Sequence, residues 1–463
     1  MLLEIGRQGA RAVILNFPDG DMVTNGKLWQ AMAYKDAGNA YLNKRRGKAV
    51  FATDFSAYDP HEHSFPAGLL PHILGVLKKC GHETSVLDGF GKPPLLGRAC
   101  QFTRPYQETA TLSLLAHNSG HACVPTGGGK TYIIDALATM LGTQAVVIVP
   151  SLEILDQVHA RLESSTRTHV SKLGGKDILT DSPLLVGTYQ TLASRLEAND
   201  PFTARFMAGV QASIVDECHH TPCDSIGNIL KHGPNIRYTY GLSATPRRKD
   251  GLEILMEGAV GPLRYEVTPR MLMEGGYIVG GEVTMMQVPH SGKMGGNPRA
   301  DYHKIYKEHI TGSAARRALE VHACLMSLMM GLKGMCFVKH VEHATDIYAK
   351  VTAAGQHAEL LTGSIKKKDR ARILDDLSSG KCRLVIATLG KEGLDVPSIN
   401  AVIFAEGGSD PAQQVGRALR TAPGKDRAFI WDFYDAQHGM LEAQSKARER
   451  WYEEQGIFTL RRA

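Results

Sequence analysis

No apolar run in this 463-residue sequence approaches the roughly 18 residues a membrane-crossing helix needs, so no membrane span is expected. The opening stretch, MLLEIGRQGARAVILNF, lacks a basic segment ahead of a clean apolar core and does not read as a secretory signal. Cysteine is sparse. Cys80, Cys100, Cys123, Cys218, Cys223, Cys324, Cys336 and Cys382 are scattered and form no Cys-x-x-Cys pair, which suits reduced thiols in the cytoplasm better than a disulfide framework. No motif recurs at a period of 20–50 residues, which argues against a solenoid or propeller. Neither sign of charge dominates: 53 Lys and Arg face 47 Asp and Glu, a net +6 that suits a polyanionic partner without proving one. What remains is ordinary globular chemistry, 43% hydrophobic and 22% charged, with length for about three domains at roughly 150 residues each.

The hydrophobic patterning divides the chain. Residues 1–98 are mixed, with β-rich runs at 10–17 and 48–55 and a helix expected over 27–42. A helical stripe follows from Leu69, Leu70, Ile73, Leu74 and Leu77, with Pro71 early enough to be tolerated. A Gly/Pro cluster at 89–94 marks the end of this segment. Short apolar runs at 121–124, 144–149, 183–189, 212–217 and 238–244 then alternate with helical stretches, the pattern of strands buried on both faces of a parallel sheet. A turn-rich stretch at 289–301 interrupts it. A second series follows at 335–340, 357–363, 382–388, 400–406 and 427–433, and a charged helix closes the chain over 444–456. The expected fold class is α/β: parallel-sheet domains at 99–285 and 305–463, a linker at 286–304, and a small α+β domain at 1–98.

The strongest local signal is HACVPTGGGKT at 121–131. A strand enters Thr126-Gly127-Gly128-Gly129-Lys130-Thr131, and an amphipathic helix leaves it. Glycines let backbone N–H groups approach phosphates, and the helix N-terminus favours negative charge. Lys130 would reach the β- and γ-phosphates of a nucleoside triphosphate and Thr131 would ligate Mg²⁺. A second carboxylate source follows the strand at 212–217: Asp216 would hold Mg²⁺ and Glu217 would orient and deprotonate water. Cys218, His219, His220 and Cys223 could be read as zinc ligands, but no second pair with suitable spacing lies nearby.

PTGGGKT, DECH, Ser243-Ala244-Thr245 and QQVGRALR (413–420) occur in that order, and together they resemble motifs I, II, III and VI of the superfamily 2 helicases and translocases. The resemblance covers about 100–435. It implies two RecA-like lobes that bind ATP and Mg²⁺, with Arg104 and Gln107 in an adenine-reading motif. Thr126 to Thr131, Gly393 and Asp395 would complete the nucleotide site. Gln413, Arg417 and Arg420 would be brought by the second lobe, while Ser243 and Thr245 would couple hydrolysis to strand contact. Gly175, Thr188, Gln190, Thr191, Thr362 and Thr388 would grip the nucleic-acid backbone. DECH followed by TPRRKDG looks more like the DNA-directed branch containing XPB, RecG and the UvsW-type phage enzymes than like RNA helicases, and residues 64–88 resemble the small N-terminal domain of that phage type.

The activity this resemblance implies is ATP-dependent remodelling of forked or four-way DNA, in the cytoplasm (the host's, if phage-encoded), alongside other replication or recombination proteins. An RNA helicase on the same motor and a non-unwinding ATP-gated module of a nuclease system remain open. Basic clusters at Lys44-Arg45-Arg46, Arg247-Arg248-Lys249 and Lys366-Lys367-Lys368 could attract a polyanion, although a solvated face is the commoner role of such runs. Phe51, Phe55, Tyr58 and Phe65 could stack bases, with core packing as the alternative.

Overall fold

The computed structural model describes residues 2–18, 20–34, 55–87, 91–98, 100–166, 168–175, 177–219, 223–244, 253–289, 302–388 and 396–463. The chain divides into two compact units, Met1–Val124 with Gly129–Val267, and Pro125–Gly128 with Thr268–Ala463.

The first unit opens with strands β1 (Leu2–Gln8) and β2 (Arg11–Ile14). A two-stranded ribbon, β3 (Ala33–Tyr34) with β4 (Phe55–Ser56), follows the helix Met22–Ala31. Strands β5 (Ser64–Pro66) and β6 (Glu83–Val86) complete a four-stranded mixed sheet in the order β5-β2-β1-β6. The helix expected over 27–42 lies earlier, at Met22–Ala31: Asp21 caps it, accepting the Thr24 N–H at 3.0 Å. It stops where β3 begins, and residues 35–42 lie outside the described residues. The leucine stripe forms the helix Leu70–Lys79 with Pro71 in its first turn. Tyr58 and Phe65 are buried in the core of this small domain, so they pack rather than present rings to solvent. Phe51 and the Phe55 side chain lie outside the described residues.

The rest of the first unit is built on seven strands: β7 (Ser119–Cys123), β8 (Ala145–Val149), β9 (Val170–Leu173), β10 (Leu184–Thr188), β11 (Ala212–Val215), β12 (Tyr238–Ser243) and β13 (Leu263–Glu266). All pair in parallel, in the order β13-β7-β12-β11-β8-β10-β9. Every residue of β7, β8, β10 and β11 is buried, which explains why β8, β10 and β11 read as largely apolar runs and not as alternation.

The second unit repeats the plan with β14 (Gly280–Gln287), β15 (Gly334–Phe337), β16 (Glu359–Leu361), β17 (Leu384–Ala387), β18 (Ala401–Phe404), β19 (Arg427–Tyr434) and β20 (Phe458–Arg462). These too pair only in parallel, in the order β16-β17-β15-β18-β19-β14-β20. The boundary expected at 285/286 falls inside β14, which belongs wholly to this second sheet. Two seven-stranded parallel sheets flanked by helices, with a small mixed sheet ahead of them, make the α/β architecture read from the sequence. Among the described residues no helix is long and apolar enough to cross a membrane.

Candidate nucleotide and polynucleotide sites

Parallel sheets bring their active residues to the carboxyl ends of the strands. In the first unit, β7, β12 and β11 are consecutive neighbours ending at Cys123, Ser243 and Val215, with Val124 and Asp216 the first residues past their strands. The three motifs are therefore side by side although some 120 residues separate the first from the last. The Val124 N–H donates to the Ser243 carbonyl at 2.8 Å, so the strand entering the glycine loop is tied to the strand carrying Ser243.

The loop turns through left-handed backbone at Gly127 (φ 84°) and Gly129 (φ 77°), which glycine adopts without penalty. A β-carbon on Gly129 would lie 2.5 Å from Gln107 Nε2, so glycine also lets the loop approach that amide. Gln107 is wholly buried, and its Oε1 accepts the N–H groups of Thr103 (3.1 Å) and Arg104 (3.2 Å) at the start of the helix Pro105–Leu115. Arg104 donates to the Tyr106 hydroxyl at 2.8 Å.

Lys130 begins the helix Lys130–Met140, and its Nζ lies 2.8 Å from Glu217 Oε1. Burial pulls on the Lys130 ammonium, but the Glu217 and Asp216 carboxylates more than offset it, and its pKa is raised above the ordinary lysine value. Glu217 has left-handed backbone (φ 48°), rare for a residue with a side chain. Its neighbours hold it there: the Asp216 N–H donates to Ile148 O and the Cys218 N–H to Leu242 O, each at 2.9 Å, while Asp216 Oδ1 accepts the Glu217 N–H at 3.0 Å. His219 joins the group, with Nδ1 2.9 Å from Ser243 Oγ and 3.4 Å from Glu217 Oε2. In the sequence this histidine stands as the last residue of DECH and as a zinc alternative, with no role of its own; the signal for one is its position, close after a carboxylate at a strand end beside the strand that ends in Ser243. Among the described residues no group of three or more His, Cys, Asp or Glu could hold a metal ion.

A glycine cradle at a helix N-terminus suits a polyphosphate, and the Thr131 hydroxyl and Asp216 carboxylate are hard oxygen donors of the kind Mg²⁺ takes. The residues present fit both groups.

The other half of the first sheet, β8-β10-β9, gathers a second set. Thr188 caps the helix Tyr189–Glu197: its hydroxyl accepts the Thr191 N–H at 3.4 Å and donates to Thr191 Oγ1 at 2.8 Å. Thr188 is 3% exposed, so its hydroxyl shapes the helix start and is not presented outward. The Gly175 N–H, in left-handed backbone, donates to Thr191 Oγ1 at 3.3 Å, and Gln190 Nε2 reaches Pro150 O at 3.4 Å. Gly175, Thr188, Gln190 and Thr191 thus form one cluster. In the second unit, Thr362 follows β16 and Thr388 follows the adjacent β17, with the Thr388 N–H on Leu361 O at 3.0 Å.

Gln413 and Arg417 lie on the helix Ala412–Ala418, and Arg420 follows it. Gln414 Nε2 donates to Glu406 Oε1 at 2.8 Å, and the Arg417 guanidinium carbon is 5.6 Å from the Phe337 ring centre. Lys366 and Lys368 are exposed at the start of the helix Lys367–Ser379. Thr245, Gly393, Asp395, Lys44-Arg45-Arg46 and Arg247-Arg248-Lys249 lie outside the described residues.

Comparison with known proteins adds two family matches. Residues 102–248 match the res subunit of type III restriction enzymes, and residues 318–422 match the helicase conserved C-terminal domain. The chain is 24% identical to the ATP-dependent DNA helicase uvsW of Enterobacteria phage T4, over 72% of this chain and 68% of that protein. It is likewise 24% identical to the DNA 3'-5' helicase XPB of Mycobacterium tuberculosis, over 80% of this chain and 67% of that one. Across eight such curated relatives, the chain spans from 50% to 80% of their length. Among solved structures, Saccharomyces cerevisiae Dbp5 bound to RNA and ADP BeF3 has a similar fold, with a TM-score of 0.53 and 18% identity over 78% of this chain and 89% of that one.

Proposed function

The chain belongs to superfamily 2 of the helicases, and we propose that within it this protein is a DNA-directed motor that remodels forked or branched DNA at the expense of ATP. The observation that carries the nucleotide half of this reading is the Lys130–Glu217 pair, 2.8 Å apart beside Asp216, at the mouth of a glycine loop. Triphosphate entering the loop would draw Lys130 toward its β- and γ-oxygens. Glu217, released from the ammonium, would then orient and deprotonate the attacking water. Thr131 and Asp216 would hold Mg²⁺, which supplies charge neutralisation on the phosphates when bound. Gln107 and Arg104 would select the base, and Gly393 and Asp395 would complete the nucleotide site. Arg417 and Arg420, with Gln413, would supply positive charge to the transferring phosphoryl group, an effect worth roughly 10³–10⁵ in rate in this class of chemistry.

Residues 1–98 would act as an accessory domain that recognises the junction, ahead of two lobes divided near Val267–Thr268. Gly175, Gln190 and Thr191 in one unit, on a helix start shaped by Thr188, and Thr362 and Thr388 in the other would grip phosphates. Such contacts are largely indifferent to base sequence and weaken as salt rises. The DNA preference is supported by relatives named as DNA helicases and by the DECH and TPRRKDG segments.

The test is ATP turnover by the purified chain with matched forked DNA, four-way DNA, linear duplex, single-stranded DNA and single-stranded RNA. Stimulation several-fold greater by the branched DNAs is expected. Stimulation by RNA alone would overturn the substrate assignment, and turnover without strand displacement on any of them would favour a non-unwinding remodelling module.

A further inference from the structure

The second unit buries two guanidiniums whose charges the proposed chemistry does not use. Arg316, on the helix Ala314–Met329, is 0% exposed, and Arg448, on the helix Gly439–Gln455, is 1% exposed. Each is paired with acids: Arg316 Nε lies 2.9 Å from Asp435 Oδ1 and its Nη1 also meets Glu320 of its own helix, while Arg448 Nε lies 3.0 Å from both Asp432 oxygens. A buried ion pair is weak support for stability by itself, because desolvation consumes most of the attraction. What matters is where the free edges of the forks point. Arg316 Nη1 donates to Ala405 O at 2.9 Å, and Arg448 Nη1 donates to Gly408 O. Between them, the Tyr306 hydroxyl donates to Glu406 O at 2.6 Å.

Three side chains from three separate helices therefore converge on the carbonyls of one short turn. That turn leaves β18 and leads into the helix carrying Arg417. It runs through consecutive left-handed glycines, Gly407 (φ 69°) and Gly408 (φ 89°), so its own backbone tolerates many conformations and would not define one. The Gln414–Glu406 bond then transmits the turn's placement to the first turns of the helix.

We propose that Arg316, Arg448 and Tyr306 are positioning residues for the arginine-bearing segment, clamping the Ala405–Gly408 turn so that Arg417 and Arg420 are held in register. This rests on the reading of Arg417 and Arg420 as the second lobe's contribution to ATP hydrolysis. Misplacing a catalytic group by about 1 Å can cost about 10²-fold in rate. A planar fork that bridges a carboxylate and a carbonyl fixes a turn in a way an ammonium does not.

The experiment uses the full chain and whichever of forked DNA or single-stranded RNA stimulates it. Arg448→Lys keeps the charge and loses the fork, and Tyr306→Phe loses one hydroxyl and keeps the ring. Each should lower kcat for ATP per folded molecule at least several-fold, with KM for ATP within about twofold, whatever the shift in thermal midpoint. Affinity for ADP–aluminium fluoride should fall with kcat, while affinity for ADP stays put. If Arg448→Lys does not fold, Tyr306→Phe decides alone. A lower midpoint with unchanged turnover per folded molecule would reduce the clamp to a structural core and overturn the proposal. Arg417→Ala and Arg420→Ala separate the two levels. If both keep wild-type turnover, the arginine reading fails and the clamp fails with it. If they lose turnover while Arg448→Lys and Tyr306→Phe do not, only the clamp fails. Added to an Arg417→Ala/Arg420→Ala background, Arg448→Lys should cause no further loss; a further loss there would show that Arg448 acts elsewhere.

Discussion

Glu217 concentrates the residue-scale argument. Its left-handed backbone costs about 1–3 kcal/mol, and the bonds from Asp216 and Cys218 to the flanking strands supply the constraint that holds it. Glu217→Gln keeps the shape and removes the base. ATP binding is expected to persist while turnover falls by about 10²–10⁴-fold, measured as nucleotide affinity against steady-state hydrolysis; near-normal hydrolysis would remove Glu217 from the base role. Lys130→Ala should abolish turnover and also weaken nucleotide binding, because the phosphates lose their cation. The ammonium of this pair keeps its proton through neutrality. The Lys130 pKa is raised in the folded state, so its stabilisation is fully present below the ordinary lysine value and is lost only as pH rises through the higher folded value. The grouping of Lys130, Asp216 and Glu217 is legible in the sequence because a glycine loop and an acidic pair each follow an apolar strand. The contact of His219 with Ser243 is not, since it depends on β11 and β12 being neighbours, which no local spacing reveals.

At the scale of elements, most strands recovered from sequence are buried on both faces, such as Ala145–Val149 and Ala401–Phe404, although the edge strand Glu359–Leu361 is recovered too. Most of those missed are of another kind, the largely buried edge strand Val170–Leu173 excepted. Leu263–Glu266 and Phe458–Arg462 are edge strands, polar and half exposed, and Gly280–Gln287 starts with two glycines and alternates in burial. Their pairing is set by what lies beside them and not by their own composition. The segment after the arginine helix offers an element-scale test. Lys425 reaches back to Pro397 O at 3.1 Å and to Ile399 O, linking the turn before β19 to the chain before β18. Burial, and secondarily Arg420, hold its amine down to about 8. Between that value and the ordinary lysine value the unfolded chain binds more protons than the folded one, so stability from this group rises with pH over that window. Denaturation midpoints of the wild type and Lys425→Met, compared at pH 7, 8.5 and 9.5, should show the wild type gaining on the variant as pH rises. A constant difference would mean that the amine titrates normally.

Over the whole molecule, the question is how a small N-terminal domain could inform a motor. Within the first unit the two are packed backbone against backbone. A β-carbon on Gly68 would lie 2.1 Å from Glu257 O, 2.8 Å from Gly258 O and 2.9 Å from Gly261 N, all main-chain atoms of or just after the helix Glu253–Val260. His72 Nε2 sits 2.6 Å from Glu257 Oε2 beside this seam, and Ile254 of the same helix packs on the small domain's core. Deleting residues 1–98 would strip that cover from the motor, so lost activity in such a truncation would not distinguish recognition from damage. Gly68→Ala is the sharper perturbation. Main-chain atoms cannot rotate aside as a flexible side chain can, so the added methyl must spread the seam, at a cost of about 1–3 kcal/mol. If the small domain reads the junction from this docked position, Gly68→Ala should retain ATP turnover stimulated by single-stranded DNA and lose most of the extra stimulation by forked DNA. Hydrogen exchange should speed up along Leu70–Lys79 and Glu253–Val260 while β7, β8 and β11 stay protected. Fork preference that survives a demonstrably loosened seam would place junction recognition within the motor itself.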